Sequence, residues 1–425
     1  MDAVIQPSSL SGAIEAVASK SMAHRLLILS ALSDNPCLLD CPTTSADIEA
    51  TASCLVALGL PDSRLPHSGA YVAAEVPASL DCKESGSTLR FLLPVMGALS
   101  VPGRMARHGR LSTRPIGRFS RQLEAHGMRI EEDGEDLVVG GTLHGGRFVL
   151  PGNISSQYAS ALLMVAPMLD EPMELWLETP VHSRPYIAIT LDALSLFGVT
   201  PSHGRIQHAN TSYETFVVEP CELDPPPSLR VEGDWSNAAF WLCAGALERE
   251  GLTVTGLNLA SSQGDRTILA ALASMGARIA RKADAARATS DRPRAAHIDV
   301  SAIPDLVPPL AAVCATTPGT STFLNAGRLR LKESDRLQTI CDAISALGGR
   351  ARIEDDDLVV TGVERLQGGV VDAANDHRIA MMAAVMATHA LDAVTVLGAD
   401  CVTKSYPHFW DDYEQLGGIV HRRDA

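Results

Sequence analysis

The residues of this chain best suited to chemistry are basic, and they gather where helices open. Lys20 and Arg25 flank the start of SMAHRLLILSALS, and Arg90 lies inside STLRFLLPVMGALS. Arg114 stands in the loop STRPIG, Lys332 and Arg336 in RLRLKESDRL, Arg378 behind Asp376, and Lys404 in CVTKSYP. Arg328, Arg330, Lys332 and Arg336 crowd nine residues of an acidic chain. The i, i+4 spacing of Lys332 and Arg336 predicts a shared helix face, with Glu333 adjacent. A lone Lys or Arg is usually a solvated surface charge. Cations grouped at helix starts suit a different task, because a helix start offers free N–H groups and the positive end of its dipole. Such a set is fitted to bind phosphates, each charge-assisted bond contributing about 1.5–3 kcal/mol.

The elements that must hold these residues repeat. Polar openings precede apolar helices at Ser21, Ser87, Ser155, Ser236, Asp305 and Asp376, spaced 66, 68, 81, 69 and 71 residues apart. In phase with them, a helix-like segment ends in glycine at Gly59, Gly127, Gly198, Gly276, Gly348 and Gly417, spaced 68, 71, 78, 72 and 69. A Gly just past the last apolar turn suits a left-handed C-cap. Strand-like stretches follow, as in EDLVVGG (135–141) and DDLVVTG (356–362). Each unit of about 70 residues therefore carries a buried apolar helix, an amphipathic helix and short strands. The polar, Pro-rich stretch 222–228 reads as a linker giving a three-plus-three split, and 282–296 and Pro61–Pro66 read as exposed loops.

Composition narrows the class. A chain of 425 residues with 46% hydrophobic and 20% charged residues is long enough for two or more cored domains and is not disordered. No apolar run reaches membrane-spanning length, and MDAVIQPSSL lacks the pattern of a signal peptide. The nine Cys show no ligand spacing and read as reduced thiols of a cytoplasmic protein. A net charge of −15 argues against a nucleic-acid surface. Walker, dinucleotide, zinc-protease and nucleophile-elbow motifs are absent. The 13 His are dispersed, and His24 and His377, beside helix openings, read as supporting or surface residues.

The strings SKSMAHR (19–25), ESGSTLR (84–90), RPIGR (114–118), SSQYASALL (155–163), SRPYI (183–187), PDLVPPLA (304–311), LKESDR (331–336), DHRIAM (376–381) and TKSYP (403–407) occur in this order. Together they resemble the 5-enolpyruvylshikimate-3-phosphate synthase family. The resemblance implies an α/β fold of two similar domains, each of three repeated βαβαββ units (an inside-out α/β barrel), with the active site in the interdomain cleft. It places the halves at 20–228 and at 1–19 plus 229–425, and implies closure when shikimate 3-phosphate binds. It implies transfer of the enolpyruvyl group of phosphoenolpyruvate to the 5-hydroxyl of shikimate 3-phosphate, without metal or organic cofactor, by a monomer that binds neither nucleic acid nor membrane.

By the same resemblance, Lys20, Gly86, Arg114, Gln157, Arg336, Arg378 and Lys404 hold phosphoenolpyruvate. Lys20, Ser21, Arg25, Ser155, Ser156, Gln157, Ser183, Tyr186, Asp305 and Lys332 hold shikimate 3-phosphate. Asp305 is the expected base toward the 5-hydroxyl, and Glu333 or Lys20 the proton donor to the methylene carbon. Glu84 and Arg328 stand where many members of the family carry Asn. Two competing readings are weaker. An enolpyruvyl transferase acting on a UDP-amino sugar is expected to carry a Cys in the Arg114 loop and Asn after the first Lys; here 109–117 holds no Cys and Ser21 follows Lys20. A non-catalytic anion-binding repeat protein is expected to repeat its charges, whereas here only the apolar pattern recurs.

Overall fold

The computed structural model describes residues 1–67 and 76–424. Its helices are α1 (Lys20–Leu32), α2 (Ala46–Ala57), α3 (Gly86–Ala98), α4 (Gly117–Ala125), α5 (Ser156–Val165), α6 (Arg184–Leu196), α7 (Trp235–Leu247), α8 (Ile268–Ser274), α9 (Val307–Thr316), α10 (Arg336–Ala346), α11 (His377–Ala387) and α12 (Phe409–Gln415). They alternate in character. The odd-numbered helices are apolar almost all round and sunk in the core; every residue of α11 is buried. The even-numbered ones bury one face only, as α4 does with Phe119 and Leu123.

The repeat is clearest between residues 78 and 141. Strand Ala78–Asp81 leads through α3 to a parallel strand Gly103–Ala106, then α4 leads to a hairpin, Met128–Asp133 with Asp136–Gly141. The hairpin's second strand pairs antiparallel with Gly103–Ala106, so the sheet order is first, second, fourth, third. Leu80, Met105 and Leu137 meet across three strands with no exposed surface. Sheets opened by Gly146–Pro151, Gly12–Glu15 and His297–Asp299 have the same order, and in the sheet of Gly369–Asp372 an N-terminal strand takes the place of the fourth. The repeats are not contiguous in sequence. Asp2–Gln6 completes the sheet of Gly369–Asp372, and Ser228–Arg230 pairs in parallel with Leu38–Asp40.

Two compact units result. One comprises Met1–Ser19, Thr43–Ala46 and Glu232–Ala425, the other Lys20–Pro42 and Asp47–Val231. The first holds three of these four-stranded sheets; the second holds two, together with the pair Leu38–Asp40 and Ser228–Arg230, among the described residues.

The six glycines that close helices all have positive φ, between 76° and 103°. After five of them the next amide donates back to the carbonyl five residues earlier, as Leu60 N to Leu55 O and Val199 N to Leu194 O, the double-bonded left-handed cap. The openings need correction. Ser155 and Asp376 do cap α5 and α11, accepting from Gln157 N at 3.3 Å and Arg378 N at 3.0 Å. Ser85 rather than Ser87 caps α3, Asp234 rather than Ser236 caps α7, and Ser21 lies inside α1. A cap needs extended backbone just ahead of the first turn, and Ser85 and Asp234 have it, with ψ of 105° and 108°. Asp305 occupies a single 3-10 turn, Pro304–Leu306, before α9. Residues 282–296 are not one loop: Arg278–Lys282 and Ala285–Thr289 form a hairpin that buries Ala286 and Ala288. Small alanines filled the core face of that strand, where sequence patterns look for β-branched residues.

Candidate active site

Each expected site residue sits at or beside a place where a strand hands over to a helix. Because the first two strands of a repeat are parallel, their two strand-to-helix junctions lie at the same end of the sheet. Carboxyl ends of parallel strands, followed by helix starts, are where open α/β sheets bind ligands. Within each unit the junctions form a cluster of their own.

In the unit holding residues 47–231, the cluster centres on Gly86, the first residue of α3. A Cβ there would lie 2.6 Å from Arg114 Nη1 and 2.7 Å from Arg90 Nη1, so glycine is what admits both guanidinium groups. Arg90 donates to Gln157 Oε1 at 2.8 Å, and Gln157 Nε2 donates to Ser87 Oγ at 2.9 Å. Arg114 comes from the loop ahead of α4, and its buried Nε has no hydrogen-bond partner among the described residues. Lys20 opens α1 and pairs with Asp47 at 2.8 Å. Arg25 is buried and committed: it donates to Thr190 Oγ1 at 2.7 Å, Ser160 Oγ at 3.0 Å, and the carbonyls of Ser21 at 2.6 Å and Tyr186 at 3.0 Å. Burial lowers its pKa to about 9, with Tyr186 opposing. Ser155 and Ser156 stand at the start of α5, Ser156 buried. Ser183 precedes α6 in the left-handed region at φ 52°, a costly conformation for a non-glycine residue.

In the other unit, three cations and three carboxylates interlock. Arg336, the first residue of α10, is only 1% exposed. Its Nε and Nη2 donate to the two oxygens of Asp376 at 2.7 and 3.1 Å, Nη1 to Asp305 at 2.7 Å, and Nη2 also to Glu333 at 2.6 Å. Asp305 further accepts from Lys332 Nζ at 3.1 Å and lies 3.6 Å from Arg378 Nη2. Lys332 and Arg336 thus meet through Asp305, not on a helix face: Lys332 ends a 3-10 turn, Gly327–Leu331, and Asp335 caps α10 between them. Lys404 donates to the carbonyl of Asn375, next to Asp376 in the chain, at 2.7 Å.

The two clusters differ in charge. Lys20, Arg25, Arg90 and Arg114 are set against Asp47 and Glu84, which packs on Gly109. Lys332, Arg336 and Arg378 all meet Asp305, and Arg336 also takes Glu333 and Asp376. Burial pushes the Lys332 ammonium below its usual pKa, with Asp305 opposing and Arg336 adding to the effect. Burial also works against the charge of Arg336, but its carboxylates outweigh it and raise its proton affinity. Sequence reasoning passed over two carboxylates. Asp47 shows only as an acid in the first turn of α2. Asp265, buried in the loop before α8, accepts from Ser236; burial and then Asp305 push its pKa up to about 7, while Arg378 opposes.

A family model described as EPSP synthase (3-phosphoshikimate 1-carboxyvinyltransferase) matches residues 4–413. A 3-phosphoshikimate 1-carboxyvinyltransferase of Clostridium perfringens is 37% identical over 425 residues, covering 98% of each chain. An EPSP synthase structure from Acinetobacter baumannii superposes with a TM-score of 0.77 at 21% identity, covering 99% of this chain and 100% of that one. The enolpyruvyl transferase NikO from Streptomyces tendae superposes with a TM-score of 0.79 at 17% identity, covering 100% and 99%. At these identities the two structures establish the shared fold.

Proposed function

The chain belongs to the EPSP synthase family, and on that premise we propose that it transfers the enolpyruvyl group of phosphoenolpyruvate to the 5-hydroxyl of shikimate 3-phosphate and releases phosphate. The reaction is an addition followed by an elimination through a tetrahedral intermediate. The observation that carries the reading is the cation cluster around Gly86, where the buried Nε of Arg114 has no partner among the described residues, beside a helix start.

Gly86, Arg114, Gln157, Lys20, Arg336, Arg378 and Lys404 take phosphoenolpyruvate. Ser21, Arg25, Ser155, Ser156, Ser183, Tyr186 and Lys332, with Lys20, Gln157 and Asp305, take shikimate 3-phosphate. Arg25 is so fully engaged that its part is chiefly to hold Ser21 and the Tyr186 carbonyl in place. Asp305 removes the hydroxyl proton as the oxygen attacks, and Glu333 or Lys20 delivers one to the methylene carbon. Bonds from Lys332 and Arg336 occupy Asp305 Oδ1, an oxygen that could receive the hydroxyl proton. An anionic substrate that draws Arg336 and Arg378 toward itself loosens both Asp305 and Glu333. Charge exchange of this kind couples substrate arrival to the activation of base and acid.

The enzyme is placed in the cytoplasm as a monomer on the same reading, to be checked by fractionation and sedimentation. The deciding assay is phosphate release from phosphoenolpyruvate with the purified protein. Release with shikimate 3-phosphate and none with UDP-N-acetylglucosamine is expected. Release with the UDP-sugar alone overturns the acceptor, and no release with either overturns the catalytic reading.

A further inference from the structure

We propose that His24 is a positioning residue for the phosphoenolpyruvate subsite, acting through a buried chain, His24–Thr51–Thr88–Ser85, that ties α1 to the start of α3. The inference rests on the function proposed above and goes beyond it, since none of these four residues belongs to the substrate-binding set.

The chain crosses three helices. His24 Nδ1 is hydrogen-bonded to Thr51 Oγ1 at 2.7 Å, and Thr51 Oγ1 to Thr88 Oγ1 at 2.7 Å. Thr88 Oγ1 donates to Ser85 Oγ at 2.8 Å, and Thr88 N donates to the same oxygen at 3.2 Å. All four side chains are buried, with no exposed surface. Its far end is the cap that fixes where α3 begins, and so where Gly86, Arg90 and Arg114 meet. A side branch reaches Asp47, the partner of Lys20, whose carbonyl accepts from Thr88 Oγ1 at 3.5 Å.

A purely structural histidine explains this less well. The ring stands edge-on to Phe91, and its Nε2 is buried without a hydrogen-bond partner among the described residues. An apolar residue would fill that space without stranding a polar atom, so what the imidazole contributes there is the Nδ1 bond. Burial, then Lys20 and Arg25, hold the ring neutral, so the chain does not break as pH falls through the usual histidine range. The shikimate 3-phosphate side shares Lys20 and Gln157 with this cluster but has an anchor of its own, because Arg25 is fixed by Thr190, Ser160 and Tyr186. Breaking the His24 chain therefore loosens the Gly86 cluster more than the surroundings of Arg25.

The test compares His24→Asn, whose amide lies where Nδ1 lies, with His24→Gln, whose amide lies where Nε2 lies, and with Thr51→Val. The readouts are KM for each substrate, kcat and melting temperature. His24→Asn is expected to keep KM for phosphoenolpyruvate within about twofold. His24→Gln and Thr51→Val are expected to raise it about tenfold, the worth of one buried hydrogen bond, with KM for shikimate 3-phosphate little changed. If Thr51→Val does not fold, Ser85→Ala breaks the chain at its other end and is expected to shift the same constant. Equal KM values in the Asn and Gln variants overturn the proposal. So does a parallel rise for both substrates that follows the loss of melting temperature, since that is the mark of a structural role. Wild-type protein that releases no phosphate overturns the functional reading instead.

Discussion

Replacing Asp376 by Asn removes one charge from a site where no water can compensate. Asp376 has no exposed surface, and its oxygens accept from Arg336 Nε, Arg336 Nη2, Ser334 Oγ and the Arg378 amide. Asn keeps the volume and still caps α11 through its carbonyl oxygen, so the cap itself loses little. Its NH2 group, however, faces donors where a carboxylate oxygen stood. The buried guanidinium of Arg336 then keeps only Asp305 and Glu333 as carboxylate partners among the described residues. Removing one partner of a buried ion pair costs about 3–5 kcal/mol. In a unit of about 150–250 residues, each kcal/mol moves the melting temperature by about 2–4 °C, so the transition of the unit containing Asp376 should fall by about 6–20 °C. Asp376→Ala, which also loses the cap, should cost about 1 kcal/mol more. Calorimetry with matched urea titrations measures both. A shift below about 2 °C for Asp376→Asn would refute the view that this carboxylate holds Arg336 in place, and would leave Asp305 and Glu333 as sufficient partners.

Three further outcomes follow from the same geometry. Asp305→Ala should lower kcat for phosphate release by about two or more powers of ten, as loss of a general base does; near-normal turnover removes Asp305 from that role. Gly86→Ala sets a methyl group against two guanidinium groups. With one charge-assisted bond weakened, KM for phosphoenolpyruvate should rise about tenfold or more, and that for shikimate 3-phosphate far less; equal shifts in the two constants would contradict the placement of Arg114. Asp265 has a folded pKa of about 7 against the ordinary 3.8. Because the folded state favours its neutral form, the stability tied to that form is complete below about pH 4 and is lost as pH rises to about 7, by up to about 4 kcal/mol. Asp265→Asn should therefore gain stability relative to wild type between pH 4.5 and 8; parallel urea midpoints across that range would refute it.

What could be read from the sequence was what depends on local backbone geometry. The closing glycines were legible because a left-handed residue after the last helical turn nearly demands Gly, and all six have that conformation. Helix openings were legible only to within one or two residues. Polar residues cluster there, as Ser85 and Ser87 do around Gly86, and the one that caps is chosen by its backbone angles. Pairing between distant segments was not legible. Leu38–Asp40 finds Ser228–Arg230 across 190 residues of chain, and no periodic pattern in either stretch names the other.

The site shows the same division. Residue types at the junctions announced anion binding, but not which cations were already spoken for. Arg25 and Arg336 both stood out as substrate-binding residues, and in the fold both are buried, one among hydroxyls and carbonyls, the other among three carboxylates. The difference has a mechanistic consequence. A neutral cage around Arg25 does not compete for it with an incoming anion, so that arginine is a fixed element of the site. The carboxylates around Arg336 do compete, and any anion that claims Arg336 frees oxygens of Asp305 and Glu333. A carboxylate set beside a cation is normally a poor acid or base; in this arrangement it becomes a better one when the substrate's own charge takes the cation's attention.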